Sequence, residues 1–94
     1  MKKYLGKISF IDLEYLDEKF GLVISLDCNG CGTTDFIGGY VKNIEHTSIT
    51  ICTNIIQLMK DANVSNLQEL KNKPIEVTFE NNLLKEWRIL TEVL

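Results

Sequence analysis

Hydrophobic and polar residues alternate twice near the start of the chain, and a period of two is that of strands half buried in a sheet. In residues 4–15, Ile8 and Phe10 fall on one face and Lys7, Ser9 and Ile11 on the other. In residues 20–27 the alternation is cleaner, with Phe20, Leu22, Ile24 and Leu26 facing one way and Gly21, Val23, Ser25 and Asp27 the other. Joined across the polar Asp17-Glu18-Lys19, the two runs predict a hairpin. The next segment, Cys28-Asn29-Gly30-Cys31-Gly32, is a turn, because Asn-Gly favours positive φ. Residues 33–41 predict a third strand, interrupted at Gly38-Gly39, where a bulge or a close backbone approach is expected.

The period then changes. From Thr47 or Ser48 to Ala62 the apolar residues Ile51, Cys52, Ile55, Ile56, Leu58, Met59 and Ala62 recur at three and four, which predicts a helix with one buried face. Ser65 followed by Gln68 resembles a capping box, and residues 66–71 predict a short second helix that stops before Pro74, with Val64, Leu67 and Leu70 as its anchors. The last twenty residues predict a hairpin with Ile75, Val77 and Phe79 on one face of its first strand and Trp87, Ile89 and Val93 on one face of its second. A two-residue turn at Asn81-Asn82 would pair Val77 with Glu86, so parity favours a three-residue loop, 81–83, which pairs Val77 with Trp87 and Ile75 with Ile89. The sum is an α+β fold: an antiparallel sheet of about five strands with one main and one short helix packed on one face.

The 94 residues form one expected domain, 1–94, too small for a second core. A hydrophobic content of 45% and a charged content of 24% are those of an ordinary globular chain. No apolar run approaches the roughly 20 residues that span a bilayer, so no membrane partner and a cytoplasmic location are expected. The net charge is -3 and Arg88 is the single arginine, with the lysines scattered. Duplex nucleic acid is therefore disfavoured, because its affinity comes from several phosphates neutralised at once. The acidic cluster of Asp12, Glu14, Asp17 and Glu18 reads as a solvated turn and strand edge.

Three constellations bear on chemistry. Cys28-x-x-Cys31 with His46 and Cys52 has the ligand count of a Cys3His zinc site. His46 and Cys52 are six apart, however, and share one ion only if His46 precedes the helix; Cys52 also belongs to the apolar set, where it acts as a small buried residue. No metal and no cofactor are expected. The second is the segment from Asn29 to Tyr40: Gly30 and Gly32 let backbone N–H groups converge on an anion, Thr33 and Thr34 add hydroxyls, and Phe36 and Tyr40 offer rings for stacking on a base. It lacks the ending of a phosphate loop, and its rival reading is a tight turn and a bulged strand. The third is the acid-base inventory, which has one His, no nucleophile motif and no apolar carboxylate pair. Arg88 suits a carboxylate or phosphate, or a cross-strand pair with Glu76. No enzyme activity is expected.

The ending Asn72-Lys73-Pro74-Ile75-Glu76-Val77-Thr78-Phe79-Glu80, then Leu84-Lys85-x-Trp87-Arg88-Ile89-Leu90-Thr91-Glu92-Val93-Leu94, resembles a family of small, mostly uncharacterised proteins of bacteriophages and prophages. Gly6-Lys7-Ile8, Phe20-Gly21-Leu22, Gly30-x-Gly32 leading to Asp35-Phe36, and Ala62-Asn63-Val64 extend the likeness over nearly the whole chain. Relatives often carry Trp at the position of Cys31 and lack the other cysteines, which weakens the zinc reading. The resemblance implies a phage accessory protein with no settled activity. By analogy with small phage proteins that act by binding, the expected function is sequestration of a nucleotide-derived signal of bacterial immunity. The glycine turn with Gly30 and Gly32 would hold phosphates, Thr33, Thr34 and Asp35 would belong to the same ligand-binding segment, Phe36 or Tyr40 would face a base, and Arg88 would be a charge partner. The rival is a protein-protein module that docks on and inhibits a host or phage protein. A homo-oligomer is expected, with its interface on the C-terminal hairpin, where Leu84, Leu90 and Leu94 fall opposite Trp87.

Overall fold

The structure is a computed structural model that describes residues 1–94, apart from the side chain of Cys31. Five strands, β1 (Lys2–Leu16), β2 (Lys19–Cys28), β3 (Cys31–Tyr40), β4 (Pro74–Glu80) and β5 (Leu83–Ile89), enclose in sequence one helix, α1 (Ile44–Ala62). The strands make one antiparallel sheet in the order β3-β2-β1-β4-β5, the expected α+β architecture. Its three hairpins close through two-residue turns, Asp17-Glu18, Asn29-Gly30 and Asn81-Asn82, in which both central residues have positive φ. Such turns match the right-handed twist of the strands they join.

Two bulges correct the expected faces. The β1–β2 register runs Ile8↔Leu26 and then Phe10↔Ser25, leaving Ser9 as the extra residue. Ile8 and Ile11 are therefore both buried in the core, while Phe10, expected beside Ile8, is 43% exposed. At the C-terminal hairpin the expected pairs Val77↔Trp87 and Ile75↔Ile89 are present, but the loop is shorter than expected because Glu80 pairs with Leu83. A bulge between the Thr78↔Glu86 and Phe79↔Leu84 pairs supplies the parity change that the longer loop was to supply. Consequently Leu84 packs on the core as Trp87 does. Leu90 is buried too, and its N–H donates to the Pro74 carbonyl. The face expected to form an oligomer interface is thus largely used within the chain. Val93 lies beyond β5 in the 3-10 turn Thr91–Val93 and is exposed.

β1 is shared between the two halves of the sheet. Residues 2–7 pair with β4, and residues 7–16 pair with β2. In a flat sheet the edge strands β3 and β5 would stand about 19 Å apart, four spacings of roughly 4.8 Å. Instead Trp87 Nε1 on β5 donates to Asp35 Oδ2 on β3 at 2.8 Å, so the sheet curls into a trough. Ile8, Leu22, Ile24, Leu26, Ile75 and Val77 line its floor at no more than 1% exposure. Against them α1 lies on β3 and β2 and reaches β5.

α1 starts at Ile44, earlier than expected, and presents Thr47, Ile51 and Ala62 as its buried residues. Cys52 and Ile56, expected inward, are exposed. Thr47 explains Gly39: its Oγ1 donates to the Tyr40 carbonyl at 2.9 Å and would lie 2.7 Å from a Cβ there, whereas a Cβ at Gly38 would run into the Phe20 carbonyl of β2. The strand is unbulged there, and the close approach alone requires glycine. The helix ends at Asn63, left-handed at φ 56, with Val64 N–H reaching back to the Met59 carbonyl. The second helix is one 3-10 turn, Leu67–Leu70, capped by Asn66 on the Glu69 N–H rather than by Ser65 with Gln68. Leu70 anchors it at 0% exposure. Among the described residues no helix is long and apolar enough to cross a membrane.

Candidate ligand site at Gly32

Alternation along β3 splits the residues singled out in the sequence. Thr33 and Asp35 pair with the buried Leu26 and Ile24, and so face the trough. Gly32, Thr34, Phe36 and Tyr40 pair with Asp27, Ser25, Val23 and Lys19 on the outer face. Gly30 forms the turn tip at φ 87. Asp35 is already engaged by the Trp87 indole and closes the trough.

Two concavities meet at Gly32. The first, about 480 Å³, opens at the end of the trough between the β2–β3 and β4–β5 tips and is lined by Lys2, Tyr4, Gly32, Phe79, Asn81 and Asn82 together with Met1. Tyr4 and Phe79 stand edge to face there, centroids 5.8 Å apart and planes at 73°. The tips converge because Gly6 lets β2 cross β1 closely: a Cβ on Gly6 would run into the Asp27 carbonyl and come within 3.0 Å of Cys28 Cα. The second, about 500 Å³ and shallower, lies on the outer face and is lined by Ser9, Ser25, Asp27, Gly30, Gly32, Thr33 and Thr34, with Leu26. Gly32 walls both. A Cβ there would meet the Leu26 carbonyl at 3.7 Å, so the space at this shared wall is left by a missing side chain rather than demanded by backbone strain.

The two halves differ in chemistry. The mouth offers two aromatic rings, two side-chain amides and the Lys2 ammonium, which suit a planar base and an anion. Lys85 stands nearby, its Nζ 3.2 Å from Glu80 Oε2 and 3.1 Å from Met1 Sδ. The outer groove offers hydroxyls and one carboxylate. Ser9 Oγ, brought there by the bulge, donates to the Ser25 carbonyl at 3.2 Å. A carboxylate among hydroxyls accepts hydrogen bonds from sugar hydroxyls and repels phosphate.

The remaining predicted residues stand apart. Phe36 lies over Gly21, whose added Cβ would be 2.6 Å from its ring. Tyr40 carries the Lys19 and Lys42 ammonium groups 5.3 and 5.6 Å from its centroid. It is six residues from Thr34, roughly 20 Å along a strand. Arg88 is on the opposite edge strand: its Nη1 and Nη2 donate to the two Glu92 carboxylate oxygens at 3.0 Å each, and its Nε to Glu76 Oε1 at 3.3 Å. The hydrogen bonds from Arg88 hold the Glu92 carboxyl below its usual range, and those to Glu92 raise the guanidinium.

Of the zinc reading, Cys31 falls outside the described side chains. His46 lies within α1 rather than before it, so the condition for sharing an ion with Cys52 is not met. Among the described residues no group of three or more His, Cys, Asp or Glu converges as a metal site would require. Lys2, Tyr4, Phe79, Asn81 and Asn82 carry no mark of a ligand site in the sequence, where Phe79 reads as a hairpin face and Asn81-Asn82 as its turn. Their nearness to Gly32 depends on β1 pairing with β4, for which no local pattern exists.

No protein-family model matches the chain, and neither a curated protein nor a solved structure is found similar to it.

Proposed function

We propose that the chain is a non-enzymatic binder of a nucleotide-derived ligand, a phage accessory protein that sequesters an immune signal in the host cytoplasm. The observation that carries this reading is Gly32, the bare wall shared by an aromatic, cationic mouth and a hydroxyl-lined groove. A ligand lying across it places its base against Tyr4 and Phe79 and its anionic group near Lys2. Its sugar hydroxyls lie toward Asp27, Ser25 and Thr34. The two concavities have the volumes of small-molecule pockets. The phage context rests on the family resemblance of the C-terminal hairpin.

The test is calorimetry with cyclic oligonucleotides and cyclic ADP-ribose isomers, followed by recovery of the ligand after heat denaturation. Intact ligand is expected back; cleaved product would make the protein an enzyme. Gly32→Val keeps the melting temperature, because the position has room for a Cβ, and abolishes binding by placing a side chain on the wall that the two concavities share. Thr34→Ala weakens binding by about 1–3 kcal/mol, the loss of one hydrogen bond. Full affinity in Gly32→Val would remove the site from this end of the sheet. Absence of binding to every nucleotide would leave the protein-docking reading in front.

A further inference from the structure

The apolar positions of α1, one face in the sequence, are two in the structure. Ile51, Ile55, Leu58 and Ala62 serve the core. A second stripe, centred about 120° around the helix at 100° per residue, runs Glu45, Ile49, Cys52, Ile56, Met59, Asn63. Its spacing of four and three is that of a coiled-coil seam. It faces solvent along most of its length: Ile49 is 66% exposed, Ile56 is 53% exposed and Cys52 is exposed, while Met59, half-buried, also packs against the core at the seam's border. Nothing in the chain's own core requires isoleucine at these positions.

We propose that a second copy of the chain covers this seam, its α1 antiparallel to the first and the twofold axis level with Asn54. The charges choose both the partner and its direction. Glu45 sits in the first turn of the helix and Lys60 in the last. In the antiparallel pair each Glu45 faces the partner's Asn63 and reaches the partner's Lys60. Ile49 meets the partner's Met59, and Cys52 meets the partner's Ile56. A parallel pair would set Glu45 on Glu45 and Lys60 on Lys60, two repulsions where the antiparallel pair has two attractions. A twofold pair also uses the same patch on both copies, which a self-complementary stripe satisfies.

The arrangement is tested by mass and by cross-linking. Light scattering at tens of micromolar is expected to give the dimer mass for the natural chain and the monomer mass for Ile56→Lys, whose melting curve stays cooperative because position 56 is outside the core. A natural chain that is monomeric, or an Ile56→Lys chain that remains dimeric, overturns the proposal. Direction is read in a Cys31→Ser background under mild oxidation. There Ile56→Cys is expected to link Cys52 to the partner's new cysteine, and removal of Cys52 from that variant abolishes the link. With position 56 unchanged no link forms, since the two Cys52 are offset by four residues, about 6 Å along the axis. A direct Cys52–Cys52 disulfide would instead establish a parallel pair and reject this one.

Discussion

The middle of the sheet and its Gly32 end are built on opposite terms. In the middle, β1 passes at Lys7 from pairing with β4 to pairing with β2, and Ile8, Leu26 and Ile75 are buried to 1% exposure or less. At the Gly32 end, two hairpin tips converge on space: Gly30, Asn81 and Asn82 are exposed, and Gly32 presents no side chain to either cavity. Packing determines the first region, so its side chains are interchangeable only at a cost. The second is shaped by turns and by omitted atoms, and its side chains are left for recognition. A change in the middle should therefore read out as stability, and a change at the tip as affinity.

The largest effect is expected from Ile75→Ala. The side chain is fully buried between Gly6 and Ile89 in the sheet, so its removal leaves a cavity and destabilises the fold by about 2–5 kcal/mol. Urea unfolding followed by circular dichroism measures it; a loss below 1 kcal/mol would show that this region is not packed as described.

Next comes the clasp across the trough. Trp87→Phe keeps a ring against the core and removes the only indole donor to Asp35, leaving that half-buried carboxylate without this partner. A loss of about 1–3 kcal/mol is expected. Asp35→Asn, with Trp87 in place, retains the acceptor and should cost much less. If Trp87→Phe and Asp35→Ala prove additive in a double-mutant cycle, the two edge strands are not coupled through this bond.

What the sequence showed of this contrast follows the range of the forces involved. The alternation in 20–26, the Asn29-Gly30 turn and the Val77–Trp87 pairing are local or nearly so, and each was legible. The bulges at Ser9 and Lys85 were not, because one extra residue leaves no compositional mark. The choice between Phe10 and Ile11 as the inward side chain is made by what β2 offers opposite. The same holds for the candidate site. Gly30, Gly32 and Thr34 announced themselves as a glycine and hydroxyl segment, whereas Tyr4 and Phe79 reach it only through the sheet order. Cys52 and Ile56 misled for a related reason: a period of three and four shows that a helix is amphipathic, not how many surfaces it serves.

A smaller effect, of opposite sign, is expected at the β1–β2 tip. Glu18 occupies φ 65, where a side chain other than Asn, Asp or Gly is disfavoured, while the β2–β3 tip already has Gly at the second position. Glu18→Gly should stabilise the fold by up to about 1 kcal/mol, read as a higher melting temperature with unchanged ligand affinity. A lower melting temperature would mean that contacts of Glu18 outweigh its backbone strain.

The smallest effect concerns pH at the Arg88–Glu92 pair on the opposite edge strand. Arg88 holds Glu92 through two hydrogen bonds and thereby lowers its carboxyl pKa below the unfolded value, about 4.3 for a Glu. With the folded value lower, the folded state binds fewer protons than the unfolded state between the two. The contribution is thus fully present above the unfolded value and is lost as pH falls through the folded one. Both groups lie at the surface, so salt screens the pair. Thermal melts between pH 6 and pH 2.5 at low ionic strength should show a slightly steeper acid decline for the natural chain than for Glu92→Gln, and the gap should close near 1 M salt. Superimposable profiles at low salt would mean that the pair exists without stabilising. A gap that survives high salt would place Glu92 in a more sheltered setting than the exposed edge of β5 provides.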